Sequence, residues 1–462
     1  MPLLEKTMFR EYDIRGLVNE KELNEESISL IGKGFGVMLR EKGVKECVVG
    51  FDAKSYSEKF ANALEGSLKQ SGIDTINIGM CTTPMAYFAQ YYLRAKGVAM
   101  VTASHNPNGW SGVKLGYGFS STLLSNDVQA IYKIIENENF AGGNGKTRKQ
   151  SINDVYYSEL AKRVPLKKGM KIVVNGRHGI GGKTLASVLK MAGQKVIEQY
   201  CDIDFSYPRG DANPSLDEMM RETGEMVIKQ KAGIGFAIDA DGDRIGVVDE
   251  KGETIYPDKI LVLLARGVME KFPGSTVVFD VKSTQALSDD IRDRGGKAVM
   301  WKTGHSYIKQ KARELNATLA GERSGHIFFF REYYGFDDAC FAALKILEHV
   351  QSHGKNLSEI VETIPKYYCS PVIHAECSDT KKYVVMEKIM EKFRRGFGKI
   401  IDINGARVDF GDGWGLIRPS SNMPAMVMVF EAKTPERLAE IQEIFRKELA
   451  GFPEVSEEWR NG

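Results

Sequence analysis

The residues with the clearest chemical potential are Thr102-Ala103-Ser104-His105-Asn106-Pro107, followed by Asn108-Gly109 and, ten residues past the serine, Lys114. They come directly after the apolar run Val98-Ala99-Met100-Val101. The pattern predicts a strand and then a sharp loop, with Ser104 and His105 at the strand's carboxyl end. Open α/β sheets bind ligands at that end. Ser104 is therefore the candidate covalent centre. Taken alone, a Ser-His pair more often caps a turn, so the other motifs must decide.

Asp239, Asp241 and Asp243 are spaced by two. In an extended chain such carboxylates fall on one side, within reach of one cation. An all-oxygen set suits Mg²⁺ or Ca²⁺ rather than zinc or copper. An EF-hand needs glycine where Arg244 stands, and the flanks Ile234 to Ile238 and Ile245 to Asp249 read as strands. Three carboxylates over-neutralise a divalent ion. A phosphate on Ser104 would bring the set to a net charge of roughly −3. Arg244, Lys114, His105 and Arg15 are the cations available to balance it. Arg15 belongs to Phe9-Arg10-Glu11-Tyr12-Asp13-Ile14-Arg15-Gly16, which reads as an ordered binding loop or a charged leading strand.

Arg418, Ser420, Ser421 and Asn422 offer a guanidinium fork, hydroxyls and a carboxamide on one turn, suited to a non-reacting phosphate dianion. A polar hairpin turn is the plain alternative. Glu322 and Ser324 suit recognition of sugar hydroxyls, and His326 beside them is a general acid/base candidate. Trp301 to Ser306, with Ile308-Lys309, adds polar groups at another strand end.

The elements that must position these residues repeat three times. Strands open at Cys47–Asp52, Lys171–Asn175 and Thr276–Asp280. Each is followed by a small-residue loop, a helix, a second strand and a third strand. Helices ended by glycine and alternating with strands argue for parallel α/β sheets. The loops after the third strands are Ser104–Pro107, Asp239–Arg244 and Gly321–His326. The most motif-like loops thus occupy equivalent places, and we expect them to face one cleft. The last ~95 residues read as strands on short turns plus a helix at Pro435 to Leu449, an antiparallel sheet with helices on one face. The expected domains are 1–150, 151–252, 253–365 and 366–462.

Lys+Arg is 63 and Asp+Glu is 61, for a net charge of +2, too balanced for nucleic acid or an anionic membrane as partner. The six cysteines are scattered without C-x-x-C, against a disulfide framework or zinc site. Residues 1–9 lack a signal-peptide core, and no apolar run approaches the ~20 residues of a membrane span. A cytoplasmic protein is expected, as a monomer or small homo-oligomer.

In order along the whole chain, Tyr12-Asp13-Ile14-Arg15-Gly16, the Ser104 loop with Lys114, Asp239 to Arg244, Trp301 to Lys309, Gly321 to His326 and Arg418 to Pro424 resemble the α-D-phosphohexomutase superfamily, in particular its bacterial phosphomannomutase/phosphoglucomutase group. The resemblance implies an α/β protein of three similar mixed α/β domains plus a C-terminal α+β domain with an antiparallel sheet, around one central cleft. It implies that Ser104 is held as phosphoserine and that Mg²⁺ is bound by its phosphate, Asp239, Asp241 and Asp243. His105, Lys114, Arg15 and Arg244 would surround the transferring group. Glu322 and Ser324 would hold sugar hydroxyls, with Lys282, His305 and Tyr12 near the substrate. Phosphoryl transfer would interconvert hexose 1- and 6-phosphates of glucose and/or mannose, with glucose 1,6-bisphosphate as activator and intermediate. Phosphoglucosamine mutase and a non-catalytic phosphosugar-binding protein are the alternatives.

Several positions depart from the family pattern: Ser421-Asn422-Met423 in the phosphate loop, Lys54 in place of arginine, Ser111, and Arg323, which is expected to bias the choice of sugar. The loop Asn175 to Gly182 also departs and is expected to lie away from the catalytic loops.

Overall fold

The computed structural model describes residues 4–421 and 423–461. The chain forms two compact units, one of residues 1–260 with 324–360, the other of 261–323 with 361–462. The loop at 321–326 is divided between them, with Glu322 in the second and Ser324 and His326 in the first.

The first unit contains a six-stranded and a five-stranded sheet. In the six-stranded sheet, Glu46–Phe51 lies between Asp74–Met80 and Gly97–Val101, parallel to both. Trp110–Tyr117 then runs antiparallel to Gly97–Val101, and Ile14–Leu17 pairs antiparallel on its far side. The five-stranded sheet repeats the plan. Lys171–Asn175 pairs parallel with Lys195–Gln199 and Ile234–Ile238, and Ile245–Val248 returns antiparallel to Ile234–Ile238.

Both sheets are mixed as expected, parallel among their central strands and antiparallel where Trp110–Tyr117 and Ile245–Val248 join them. The segments 102–109 and 239–244 are too short for the helical crossover that a parallel connection needs, so the chain must double back as a hairpin. This reversal brings Lys114 back beside Met100, near the serine ten residues before it. Ser104 and the three aspartates therefore sit in the bends of two equivalent hairpins.

Amphipathic helices close these sheets. Glu25–Glu41 opens on a capping box between Asn24 and Ser27 and buries Ile28, Ile31, Phe35 and Leu39. In the second unit, Thr276–Asp280 pairs parallel with Lys297–Trp301 and Leu319–Gly321. The C-terminal sheet is antiparallel, with Gly413–Pro419 and Ala425–Ala432 at its centre. Helices Lys382–Gly396 and Pro435–Leu449 bury Ile389, Phe393, Ile441 and Phe445 on one of its faces. Thr434 caps the second of these by accepting from Arg437 N, and proline opens its first turn.

The loop Asn175 to Gly182 does not lie away from the catalytic loops. Helix Ile180–Met191 starts inside it, and Gly181 N donates to Ala240 O at 3.1 Å. A Cβ on Gly181 would stand 2.3 Å from Asp239 O, and one on Gly179 would stand 2.6 Å from Ala240 Cα. Only glycine permits this approach. Alanine normally favours a helix by about 1 kcal/mol over glycine, but here its methyl group must displace the Asp239 loop. Gly181→Ala is therefore expected to lower, not raise, the melting temperature in calorimetry.

Candidate active site

Ser104 is buried and has φ of 52°, the left-handed region that non-glycine residues enter at a cost of roughly 1–3 kcal/mol. Its surroundings hold it there. Ser104 N donates to Thr102 Oγ1 at 2.8 Å, and Thr102 Oγ1 donates to Asp52 Oδ2 at 2.8 Å. Asp52 also accepts from Ala103 N at 3.0 Å and from Ser57 Oγ at 2.5 Å. The side chain is aimed at His105, with Oγ 3.1 Å from Nδ1. Arg15 donates to Asn106 Oδ1 at 2.5 Å and pairs with Asp13 at 2.6 Å. Lys54 reaches Asn106 O at 3.4 Å and lies over the Tyr207 ring.

The aspartate loop meets this serine loop directly. Lys114 Nζ bonds Asp241 Oδ2 at 2.7 Å and also bonds Asp243 Oδ2. Thr83, in the first turn of helix Thr83–Leu93, donates its hydroxyl to Asp241 Oδ2 at 2.6 Å and its N–H to Asp241 O at 2.8 Å. The helix amino terminus thus adds positive potential at Asp241. Asp239 Oδ1 accepts from the N–H groups of Asp243 and Arg244, each at 3.0 Å, which sets the loop's shape.

The charges do not balance. Asp239, Asp241 and Asp243 are fully buried, with one oxygen of each within 4.8 Å of the others. Asp239 Oδ2, Asp241 Oδ1 and Asp243 Oδ1 have no hydrogen-bond partner among the described residues. Burial, then the Asp243 and Asp241 carboxylates, push Asp239 well above the usual carboxylate range. Burial also opposes the charge on Asp243, but Lys114 and then His326 outweigh it and hold the group low. Lys114 itself is raised well above its ordinary value, because Asp241 and Asp243 overcome its burial. Three converging, unpartnered carboxylate oxygens fit a hard divalent cation.

Around the serine the field has the opposite sign. Burial, then Arg244, Arg15, His326 and Lys114, depress His105 well below the usual imidazole value, so it is neutral near pH 7. Arg244 Nε donates to His326 Nε2 at 2.9 Å. Nε2 must therefore be unprotonated, and the proton sits on Nδ1, which stands 2.9 Å from Asp337 Oδ2 and 3.7 Å from Asp243 Oδ1. The acid/base expectation for His326 needs this amendment. The imidazole carries a lone pair suited to a base, but Arg244 caps it here.

In the second unit, Gly304 N donates to Glu322 Oε1 at 3.1 Å, holding Glu322 next to buried His305 at the head of helix His305–Glu314. Lys282 lies 3.6 Å from Asp280. Arg407 clamps the chain on both sides of Lys282, donating to Val281 O at 2.6 Å and Ser283 O at 3.0 Å, with its guanidinium over Trp414. Arg418 Nη2 donates to Ser421 Oγ at 2.8 Å, and Ser420 Oγ accepts from Met423 N at 3.1 Å. Lys382 is buried beneath this turn and donates to Ser420 O at 2.5 Å and Met423 O at 3.0 Å. Asn422 lies outside the described residues. Tyr12 is buried and Ser324 half-buried in the first unit.

Models of four families match in succession: phosphoglucomutase/phosphomannomutase alpha/beta/alpha domain I over residues 6–142, domain II over 154–252, domain III over 256–368 and the C-terminal domain over 373–448. A phosphomannomutase/phosphoglucomutase from Pseudomonas aeruginosa is 35% identical over 448 residues, 97% of this chain and 96% of that protein. The chain belongs to the phosphoglucomutase/phosphomannomutase family. A phosphoglucomutase from Neisseria gonorrhoeae is 34% identical over 98% of this chain and 99% of its own. A solved phosphoglucomutase/phosphomannomutase family protein from Burkholderia thailandensis superposes with a TM-score of 0.90 at 32% identity, covering 98% of this chain and 99% of that one. The protein is a phosphohexomutase, an isomerase of hexose phosphates. Among its described residues no helix is long and apolar enough to cross a membrane.

Some residues of this mutase's site are not singled out by their sequence motifs. Asp52, Thr83 and Lys382 act through partners tens of positions away or more, and Asp337 through His326. The available signals are weak: Asp52 ends a strand, and Asp337 follows Gly335-Phe336. Arg323 donates its guanidinium to Ser370 O at 3.0 Å and its N–H to Asp280 Oδ1 at 3.1 Å. Its charge is engaged in support of the fold.

Lys114→Met is expected to lower unfolding stability by about 3–5 kcal/mol in chelator, because it leaves Asp241 and Asp243 buried without their cation. Denaturant titration measures this, and millimolar Mg²⁺ is expected to recover part of the loss. In calorimetry Mg²⁺ is expected to raise the melting temperature of the wild-type protein and to raise that of Asp239→Asn by less than half as much.

Proposed function

We propose that this mutase interconverts the 1- and 6-phosphates of glucose and of mannose through a phosphoserine at Ser104. The observation that carries the reading is the charge pattern of the first unit. A buried, backbone-strained serine, flanked by His105 and by Arg15, Lys114 and Arg244, adjoins three aspartates with uncompensated oxygens. A phosphate dianion on Ser104 would be met by those cations, of which Arg15 is also paired with Asp13 and Lys114 with Asp241 and Asp243.

In the proposed cycle, the Oγ–P bond of phosphoserine breaks as a P–O bond forms to the free hydroxyl of a hexose monophosphate. That hydroxyl passes its proton to His326 Nε2, which becomes available once Arg244 turns to the phosphate. Asp337 then faces the resulting imidazolium. Ser104 Oγ regains a proton from His105 Nδ1–H as His105 Nε2 takes one up from solvent, so that the imidazole stays neutral. The bisphosphorylated sugar turns over and the second half runs in reverse, so the other phosphate returns to Ser104 and no net proton is consumed. Arg15 and Lys114 hold the transferring group in line, where positioning and charge stabilisation supply most of the rate. Asp239, Asp241 and Asp243 would hold Mg²⁺, which supplies neutralising charge for the phosphate oxygens. Glu322, Ser324, Lys282, His305 and Tyr12 would engage the sugar. Arg418, Ser420, Ser421 and Asn422 would hold the phosphate that is not reacting. A bisphosphate lost midway leaves Ser104 bare, so glucose 1,6-bisphosphate is the expected activator.

Conversion of glucose, mannose and glucosamine 1-phosphates, assayed with Mg²⁺ and glucose 1,6-bisphosphate, tests this. We expect turnover of the first two at rates at least tenfold above the third. Ser104→Ala is expected to reduce kcat at least a thousandfold. A wild-type protein inert on glucose and mannose phosphates, or a fully active Ser104→Ala variant, overturns the reading.

A further inference from the structure

His374 stands in an unusual place for a histidine outside every motif. It lies on strand Ile373–Glu376, with Val427 as its Cα partner on one side and Arg460 on the other. Val427 is in turn the Cα partner of Arg418. Residues directly opposed across antiparallel strands project from the same face. Arg418, Val427 and His374 therefore form one row, with the Cα positions of Arg418 and His374 about 10 Å apart across two strand spacings. Buried Val427 is the floor between them. The opposite face carries Ile373 and Ala375 into the core against the two helices. On the His374 face, Trp414, Leu416 and Val429 pack against Val281, next to Lys282.

Three basic groups thus converge from three elements. Arg418 is 4% exposed, and its Nε has no partner among the described residues. Of the other charged groups on this face, Arg407 donates to Val281 O and Ser283 O, and Glu431 accepts from Trp414 Nε1 and Gln285 N. Arg460 is paired with Glu376 at 3.0 Å and Glu458 at 2.7 Å, and Lys282 stands 3.6 Å from Asp280.

We propose that His374 is a third cationic ligand of the non-reacting phosphate, beside Arg418 and Lys282, and that it takes up a proton as the hexose phosphate binds. The proposal rests on the reading of the Arg418 turn as the phosphate subsite. Burial, then Lys282 and Arg418, hold the free imidazole below its ordinary value. A dianion placed between these groups reverses the sign of the field at the ring. The imidazole then binds its proton more tightly, and by linkage the phosphate binds more tightly as pH falls toward 6. Each unit by which the phosphate raises the imidazole corresponds to a tenfold gain in affinity below both of its values.

Calorimetric titration of full-length Ser104→Ala protein with glucose 6-phosphate, in buffers of different ionisation enthalpy between pH 6 and 8, reads both affinity and proton uptake. The added His374→Gln change is expected to weaken binding about fivefold to tenfold at pH 6.5, to leave it within twofold at pH 8, and to remove the protein's share of proton uptake. The ligand's own second ionisation near pH 6 is common to both proteins. His374→Lys is expected to keep tight binding across the range, with that uptake absent. In otherwise wild-type enzyme, His374→Gln is expected to raise KM at pH 6.5 with kcat within twofold. Equal affinity and equal proton uptake with and without His374 overturn the assignment. If Arg418→Ala abolishes binding while His374→Gln changes nothing, only the role of His374 falls. If Arg418→Ala leaves binding intact, the phosphate subsite itself lies elsewhere and both readings fall.

Discussion

The rest of the site depends on the burial of three carboxylates around a single lysine. Asp239, Asp241 and Asp243 have no access to water, and Lys114, a single positive charge, bonds only two of them. Such a cluster is unfavourable by itself, since desolvation of each charge costs several kcal/mol. It persists because the backbone leaves it no alternative. Asp239 is pinned by two N–H groups, Asp241 by Thr83, and the loop as a whole by the glycines that open helix Ile180–Met191. The excess negative charge is therefore fixed beside Ser104, and a divalent cation restores balance at little cost in reorganisation.

The serine loop is the counterpart of that arrangement. Its strained backbone is held through Thr102 and Asp52, and its side chain projects into a field set by Arg15, Lys114 and Arg244. Acidic and basic clusters of comparable size meet along Lys114, which contacts the one while its strand adjoins the other. A phosphoryl group carries charge that must be met on both sides as it moves. Fixed groups of both signs, already in position, do this without waiting for solvent to reorganise.

The second unit solves a different problem, holding groups that do not react. Arg407 fixes the chain on either side of Lys282 through two carbonyls, and Lys382 does the same under the Arg418 turn. In both cases a buried cation is spent on backbone oxygens, which leaves neighbouring side chains to face a ligand. His374 joins this group only through sheet register, with Val427 between it and Arg418.

Much of this was legible in the chain itself. Alternating apolar runs and glycine-ended helices specified the strands Lys171–Asn175, Ile234–Ile238 and Thr276–Asp280 and the helix Pro435–Leu449, because local periodicity and caps decide where such elements start and stop. The spacing of Asp239, Asp241 and Asp243 and the threefold recurrence of polar loops pointed to the chemistry, since carboxylate count and loop position are properties of the sequence. Three things were decided only by tertiary packing: the hairpin reversal that returns Lys114, the contact of Gly181 with Asp239 O, and the capping of His326 Nε2 by Arg244. Strand direction, close backbone approach and the partner of a ring nitrogen all join residues tens to hundreds of positions apart or depend on how a chain closes on itself. Residue type and local spacing determine which groups are present, while the direction and register of packed elements determine which of them meet.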